Sequence, residues 1–424
     1  MKVLVYPHDL GIGGSQLNAI DLAAATRELG HDVAVFGEPG PLTARIAELG
    51  LDFVAAPHGR VRPSPGVVKD LRRIVREREI DVVHGYEWPP AIQAILAVAG
   101  TQATAVSTVM SMSVAPFIPR QHPLVVGTQA IAAAEKGLGR ERVWVIEPPV
   151  DLSHDDPDRD YGSAAFRQQV GAEPDSLLVV VVGRLAQALK LEGLLTAIRV
   201  APTLGANVQL VIVGDGASRP DIERGALVAN TLANRNAVIV VGALADPRPA
   251  YAAADVMLGM GGSALRALSF GKPLVVQGER GYWSLLTPES FGQFAWAGWY
   301  GLGLSTADGP AALSAALSPL VGDPRRRAEL GAYGRRLAVE CFSLERAARA
   351  QVDIYEAILA TRPRYSSEDA TRSAAAFVQH ALARKVRRLR PSSHADDFNA
   401  KSRMPVGPVA DPALLTPSTT EKKP

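Results

Sequence analysis

A glycine-rich turn within positions 258–276 has the residue types and spacing best suited to chemistry. It reads LGMGGSALRALSFGKPLVV, and Gly259, Gly261 and Gly262 precede Ser263 and a short run that is compatible with a helix. Such a turn leaves backbone N–H groups free at a helix start, where the macrodipole also favours an anion. The pattern predicts either a diphosphate-binding turn or a tight strand-to-helix turn that binds nothing.

Two cations stand at or just beyond the end of another predicted strand. Arg184 follows the apolar run 178–182, and Lys190 precedes a helix predicted over 194–201. An arginine fork and a lysine point charge can together neutralise a diphosphate leaving group. Either residue alone is also explained as a solvated surface cation. The pair beside a second glycine-rich turn favours a phosphate site.

Glycines also occupy the first predicted turn of the chain. The strand predicted over 3–6 is followed by the sequence GIGGS at 11–15 and then by a helix. A dinucleotide-binding fingerprint would need glycine where Gln16 stands, so this pattern argues against a dehydrogenase. Gly13 and Gly14 either let a ligand approach backbone amides closely or simply form a turn.

Polar residues follow the strand predicted to end near His84. Tyr86 and Glu87 come just after it. Side chains at the carboxyl end of a parallel strand face the ligand crevice in such sheets, so all three are candidates. The alternative for His84 is a buried structural histidine.

Strands and helices alternate twice along the chain, which predicts two α/β domains with parallel sheets. Between the two alternations, residues 151–162 read DLSHDDPDRDYG, an acidic stretch without an apolar period that predicts a linker or hinge. A calcium loop would need glycine where Tyr161 stands and glutamate where Arg167 stands. No metal site is therefore predicted here.

Composition limits the classes of protein that fit. The chain has 424 residues, enough for two domains or more, and a formal net charge of +2, which does not imply a nucleic-acid partner. Its one cysteine, Cys341, excludes an internal disulfide framework. The opening MKVLVYP is too short for a signal peptide, and we find no apolar run of about 18 residues. We expect a cytoplasmic protein without a transmembrane helix.

The end of the chain changes in composition after Thr361. Residues 374–390 predict a basic amphipathic helix, either lying on an anionic membrane surface or exposed to solvent or docked on a partner. From position 391 onward proline, serine and charged residues dominate, which predicts disorder.

Six motifs, in order along residues 1–360, resemble those of retaining GT-B glycosyltransferases of family 4. They are MKVLVYPHDLGIGGSQ, DVVHGYE, VIEPPVD, GRLAQALKLEGLL, VGDGASR and LGMGGSALRALSFGKPLVV. The resemblance implies an α/β, GT-B fold in which two facing Rossmann-like domains with parallel sheets flank a central cleft. It implies an N-terminal acceptor-side domain with hinge at 1–160 and a nucleotide-sugar donor domain at 161–334. A helix at 335–360 would cross back to the first domain, and 361–424 would hold the basic helix and disordered tail.

The resemblance also implies a reaction. A sugar would move from a nucleotide-diphosphate donor to a hydroxyl acceptor with retention at the anomeric carbon, and neither metal nor cofactor would be needed. The acceptor would be a small molecule, a lipid-linked sugar or a polysaccharide. Two alternatives stay open: an inactive glycosyltransferase-like binding or scaffold subunit, and another GT-B enzyme such as a nucleotide-sugar epimerase.

Site residues are carried over by position. Arg184 and Lys190 match the family's phosphate-binding pair, although their separation is one residue longer than usual. Gly13 and Gly14 match the amino-terminal loop over the diphosphate and the acceptor. The remaining matches to donor-binding positions are Gly214, Gly261, Gly262 and Ser263.

Three positions depart from the family pattern. Its two spaced glutamates fall on Leu258, which does no polar work, and on Arg266, which cannot accept a hydrogen bond. Arg266 can instead meet a phosphate or pair with Glu279. A family histidine near the reacting centre falls on Tyr86, whose phenol can still donate a hydrogen bond to the donor sugar.

Overall fold

The computed structural model describes residues 1–59, 62–172 and 175–387, which form two compact units. Unit 1 is built from residues 1–149 together with 342–387. Unit 2 is built from residues 150–341. The basic helix and disordered tail were predicted partly beyond position 387, and that part lies outside the described residues.

A seven-stranded parallel sheet forms the centre of unit 1, in the order β3-β2-β1-β4-β5-β6-β7. Its strands are β1 Lys2–Tyr6, β2 Asp32–Gly37, β3 Asp52–Ala55, β4 Val82–Tyr86, β5 Thr104–Val109, β6 Leu124–Val126 and β7 Val143–Val145. The helices between them are α1 Gly14–Glu28, α2 Thr43–Glu48, α3 Pro65–Glu77, α4 Trp88–Val98 and α5 Gln129–Gly137. The strand order reverses between β1 and β4, and the carboxyl ends at such a reversal form a crevice where ligands bind.

Unit 2 repeats the plan with a six-stranded sheet in the order β10-β9-β8-β11-β12-β13. The strands are β8 Leu177–Val182, β9 Val208–Val213, β10 Val238–Gly242, β11 Val256–Gly259, β12 Leu274–Gln277 and β13 Trp283–Leu285. The helices are α6 Ser163–Gln169, α7 Leu191–Val200, α8 Arg219–Ala233, α9 Arg248–Ala253, α10 Gly262–Ser269, α11 Phe291–Ala297, α12 Gly309–Val321 and α13 Pro324–Cys341. Only β13 runs antiparallel to its neighbour among the strands of this described sheet. The reversal of strand order falls between β8 and β11.

The strand sequences explain why both sheets are buried on two faces. β8 reads LLVVVV, and every one of its residues is buried, as is every residue of β4 and β9. Continuous apolar runs of this kind are what a parallel sheet covered by helices requires. The predicted α/β class with parallel sheets is confirmed in both units.

Two further helices complete unit 1 at the end of the described chain. They are α14 Leu344–Ala360 and α15 Ser367–Arg387. The helix predicted as one element over 335–360 is interrupted at Phe342 and Ser343, because the Ser343 hydroxyl accepts a hydrogen bond from the backbone N–H of Arg346 and so starts a new helix. Ile354, Tyr355 and Ile358 of α14 are buried in the core of unit 1.

The acidic stretch predicted as a linker is anchored to unit 2. The Tyr161 hydroxyl donates to the carbonyl of His154 at 2.6 Å, and its ring packs against Phe270 with the Arg248 guanidinium on it. The Asp155 side chain is buried. Long-range partners therefore fix a segment whose composition alone indicates a loop.

No helix of the described residues is long and apolar enough to span a bilayer.

Candidate donor-binding site

A pocket opens in unit 2 at the carboxyl ends of β8 and β11, where the strand order reverses. It measures about 250 Å³, counting its open mouth. The residues that line it are Val181, Val182, Gly183, Arg184, Leu185, Lys190, Leu194, Gly259, Met260, Ser263 and Gln277. The predicted cation pair and the predicted glycine turn therefore meet at one site.

Arg184 and Lys190 approach the pocket from one loop. Arg184 is exposed just beyond β8, and Lys190 stands immediately before α7. A side-chain carbon on Gly183 would lie 2.6 Å from the Lys190 ammonium, so a glycine is what leaves room for that cation. Burial, together with the nearby Arg184 charge, lowers the pKa of Lys190 to about 8. In the described chain neither cation has a carboxylate within ion-pairing distance.

The glycine turn contributes Gly259, Met260 and Ser263 to the lining of the same pocket, whereas the predicted residues Gly261 and Gly262 do not line it. Gly261 has φ +53°, and its N–H is bonded to the Trp299 carbonyl at 2.9 Å, whereas the N–H groups of Gly262 and Ser263 have no acceptor within the described residues. The Ser263 hydroxyl donates to the Met260 carbonyl at 2.9 Å and closes the turn. Free amides at the start of α10 can hold an anion.

Gly214 packs against Gly183, in the loop that carries Arg184 and Lys190. It has φ +148°, and a side-chain carbon there would collide with the Gly183 carbonyl oxygen. The Gly183 N–H bonds to the Val213 carbonyl at 3.0 Å, and the Leu185 N–H bonds to the Asp215 carbonyl at 2.8 Å. Gly214 does not line the pocket, so what it contributes is the close approach of the two loops.

Arg266 has a different partner from those expected. Its Nε donates to Oδ2 of the buried Asp155 at 2.8 Å. Glu279, the partner considered in the sequence, instead accepts from the Tyr300 hydroxyl at 2.5 Å. The expected pairing with Glu279 is therefore wrong, and the phosphate role is not supported. Leu258, the other departure in this segment, lies in β11 and is buried in the core of unit 2.

Tyr86 lies in the core of unit 1 with no exposed surface. Its hydroxyl donates to the side chain of Gln351 at 3.3 Å, and its ring stacks on His84 at 4.5 Å. A side chain held in this way cannot donate to a sugar, so the catalytic role predicted for Tyr86 is corrected to a packing role. His84 is structural too, since its two ring nitrogens contact the Tyr355 and Thr108 hydroxyls, each at 2.7 Å.

The glycine loop of unit 1 surrounds a polar cluster that sequence reasoning missed. Asp9 Oδ1 accepts from the Gly11 N–H at 2.7 Å and from the Gln16 amide at 2.9 Å, while Oδ2 lies 2.9 Å from His8 Nε2. The hydrogen bond with His8 holds the pKa of Asp9 well below its usual range. Gly13 is crowded by Gln16, whereas a side-chain carbon on Gly14 would meet open space. Gln16, which argued against a dinucleotide site, is thus part of the loop's own scaffold.

His8 and Asp9 also line a cavity of unit 1. It measures about 440 Å³, counting its open mouth. The lining residues are Tyr6, Pro7, His8, Asp9, Glu38, Gly59, Arg62, Ser64, Val67, Pro89 and Gln93. The carboxyl ends of β1 and β2 and the start of α4 contribute to it, which is the edge where parallel sheets bind ligands.

Glu87 joins three segments at this edge of unit 1. Its Oε1 accepts from the Met110 N–H at 3.0 Å and from the Ser15 hydroxyl at 3.3 Å, and its Oε2 accepts from the Ser111 hydroxyl at 2.8 Å. Its backbone has φ +68°, a conformation that costs free energy and persists only where neighbouring contacts hold it. Its position after β4 is the signal that made it a candidate.

Solved structures share this fold. A glycosyltransferase from Rickettsia africae superposes with a TM-score of 0.68 at 15% identity, covering 85% of this chain and 99% of that one. HepE from Anabaena in complex with UDP gives 0.67 at 17% identity, covering 84% and 100%. The catalytic domain of starch synthase IV from Arabidopsis thaliana, bound to ADP and acarbose, gives 0.66 at 13% identity, covering 85% and 99%. The predicted GT-B fold class is confirmed by these neighbours.

Two family models match the chain itself. The model of Glycosyltransferase Family 4 matches residues 12–154, and the model of Glycosyl transferases group 1 matches residues 176–323. Together they span well over half of the sequence, and the chain belongs to the group 1, family 4 glycosyltransferases. No match was found among curated proteins.

Proposed function

We propose that this glycosyltransferase moves a sugar from a nucleotide-diphosphate donor to a hydroxyl acceptor with retention of the anomeric configuration. The observation that carries the proposal is the unit 2 pocket, which Arg184, Lys190 and Ser263 line together and beside which α10 begins with N–H groups that have no acceptor in the described residues. Solved neighbours hold UDP or ADP, which supports a nucleoside diphosphate without choosing its base.

In the proposed reaction the site must stabilise the nucleoside diphosphate as a leaving group. As the bond between the anomeric carbon and the diphosphate oxygen breaks, negative charge builds on that oxygen. Preorganised cations and backbone amides in a partly dehydrated pocket stabilise that charge more in the transition state than in the ground state. These groups supply the positive charge a diphosphate requires, so we propose that neither metal nor cofactor takes part.

We assign acceptor recognition to the unit 1 cavity, because its lining mixes hydroxyl, carboxylate, amide and imidazole groups that can bind an acceptor's hydroxyls. The acceptor is a small molecule, a lipid-linked sugar or a polysaccharide.

A second candidate function is a binding subunit without turnover. It is favoured by three positions where the family's polar groups are missing from the site: Leu258 is in the core, Arg266 is paired with Asp155, and Tyr86 is buried. The two functions share the nucleotide pocket and differ only in turnover.

A thermal-shift screen of the full chain against UDP, ADP, GDP and their sugars tests both. A ligand present at 100 times its dissociation constant should stabilise the protein by about 2.7 kcal/mol. Arg184→Ala should abolish the shift, while Arg224→Ala, a surface arginine paired with Asp221, should retain it. Absence of a shift with every nucleotide would contradict the donor site, and a shift without sugar release or transfer would favour the binding subunit.

A further inference from the structure

Helix α15 is fixed to unit 1 along one side. Phe377 packs edge-on against Phe117 at 5.4 Å between ring centres and lies 6.4 Å from Trp88. At its start, the Asp369 carboxylate accepts from the backbone N–H groups of Arg120 and Gln121 at 3.1 and 3.0 Å. These contacts fix which side of the helix faces away from unit 1.

The opposite side of α15 presents an apolar stripe, formed by Ala374, Ala375, Val378 and Leu382. All four are exposed, with Val378 at 55% and Leu382 at 60%. Positions 374, 378 and 382 are four residues apart and therefore lie on one helix face. We call this set the outer stripe. Its larger side chains have no core to enter in the described part of unit 1, and burying them elsewhere would be favourable.

The charge that follows the outer stripe has one sign. Before the stripe, Arg372 is paired with Glu368 at 2.6 Å and with Asp369 at 3.5 Å. After Leu382 the sequence has no aspartate or glutamate up to Ala395, and its cations are Arg384, Lys385, Arg387, Arg388 and Arg390. These five cations begin two residues after Leu382, and Lys385 is exposed on the described helix. Apolar side chains followed by a cluster of cations suit a surface that offers both an apolar layer and negative charge.

We propose that the outer stripe of α15 lies on an anionic lipid bilayer. The apolar side chains would enter the boundary between headgroups and acyl chains, and the cations would meet lipid phosphates. A second copy of the chain is a poorer occupant, because its own outer stripe is followed by cations and offers no block of negative charge to the five cations after Leu382. A nucleic acid would leave Val378 and Leu382 without an apolar environment. Binding of α15 to a bilayer requires neither a donor nor turnover, so this proposal can be tested independently of the proposed reaction.

Another exposed apolar set supplies a matched control. Leu227 and Leu232 of α8 are 69% and 81% exposed in unit 2. Around them Asp221, Glu223 and Arg224 mix both signs of charge, so no lipid surface is favoured there.

The experiment is sedimentation of the full chain with vesicles of phosphatidylcholine alone or with about one third phosphatidylglycerol. The wild-type chain should bind the anionic vesicles and not the neutral ones, and added salt should weaken binding. Val378→Asp with Leu382→Asp should weaken binding by about tenfold or more, whereas Leu227→Asp with Leu232→Asp should leave it unchanged. Val378→Ser with Leu382→Ser, a milder pair, should give an intermediate loss, and equal melting temperatures of all variants show that folding is intact.

Three results would overturn the proposal. One is no binding to either vesicle, or equal binding to both. Another is the same loss of binding in the α8 variant as in the α15 variant. The third is an oligomer of the wild-type chain, without vesicles, that the α15 variant dissociates, which would make the outer stripe a protein interface.

Discussion

Arg266 and Asp155 are 111 positions apart in the sequence and form an ion pair, with Nε of the arginine 2.8 Å from Oδ2 of the aspartate. Burial raises the pKa of Asp155, and the Arg266 charge opposes that rise. The pair ties the first residues of unit 2 to α10, the helix that follows the glycine turn. Arg266, which stands where the family has a glutamate, therefore helps to hold in place the helix that follows the glycine turn.

Arg266→Glu should destabilise the protein although it restores the family's residue. A glutamate would face the buried Asp155 carboxylate, and of the two arginine charges that act on this carboxylate only that of Arg248 would remain. Loss of one partner of a buried pair costs about 3–5 kcal/mol, and the partial exposure of Arg266 reduces this to about 2 kcal/mol. Urea denaturation measures the change. Arg266→Glu combined with Asp155→Asn should recover part of the loss, and an active Arg266→Glu protein of unchanged stability would refute the scaffold role.

Arg184→Ala should lower kcat more than it raises KM for the donor, because the charge it meets develops on the leaving diphosphate. A loss of about 10²-fold or more, roughly 2.7 kcal/mol, is expected for one such contact. Lys190→Ala should act likewise, and the double variant should fall short of additivity if both cations touch one phosphate group. Steady-state kinetics with an identified donor measure these changes. Full turnover by Arg184→Ala would contradict the assignment of this loop to the phosphate site. Arg224→Ala, a surface variant, is the control.

Nucleotide affinity should fall as pH rises above neutrality. Burial, followed by the Arg184 charge, lowers the pKa of Lys190 to about 8, and the ammonium is the form present below that pKa. Between pH 7 and 9 the cation is lost, so affinity for a nucleoside diphosphate should drop by up to about tenfold. Calorimetric titration at several pH values measures this drop. Lys190→Arg keeps its charge and should flatten the profile, and an unchanged profile in that variant would assign the pH dependence to another group.

Deleting the chain after Thr361 should destabilise unit 1, contrary to what the composition of the tail suggests. The deletion removes the Tyr365 hydroxyl that lies 2.9 Å from the buried His122 Nδ1, both hydrogen bonds of Asp369 and the packing of Phe377. Loss of the partly buried Phe377 ring should cost about 1–2 kcal/mol, less than the roughly 3 kcal/mol of a fully buried phenylalanine. A chain that ends after Arg387 keeps these contacts and serves as the control. Equal melting temperatures for the two truncated chains would show that α15 adds nothing to unit 1.

The sequence predicts the parallel sheets well because their signal is local. The run LLVVVV and the glycines and prolines around it mark a buried strand without reference to any distant residue. The meeting of Arg184, Lys190 and the glycine turn also follows from a general rule, since ligand groups gather at the carboxyl ends of parallel strands.

Side-chain partners that are far apart in sequence are the features that the pattern misses. The Asp155–Arg266 pair, the Tyr86–Gln351 hydrogen bond and the packing of Phe377 on Phe117 join residues more than 100 positions apart. The composition of 151–162 predicts a linker or hinge, because no neighbouring residue in the sequence indicates that Asp155 is buried. For the same reason Tyr86 was predicted to contact the donor sugar: it is the last residue of β4, and its hydroxyl is held by Gln351 of α14, which is far away in the sequence.

The discontinuity of unit 1 has a consequence for synthesis on the ribosome. Among the described residues, unit 2 is one uninterrupted stretch, 150–341, and its whole sheet can be assembled once that stretch has emerged. Unit 1 begins at the first residue yet needs Tyr355 of α14 for His84 and Tyr365 for His122. We therefore expect unit 2 to fold before unit 1 is complete, because residues of β4 and the loop before β6 must wait for partners more than 200 positions later in the chain.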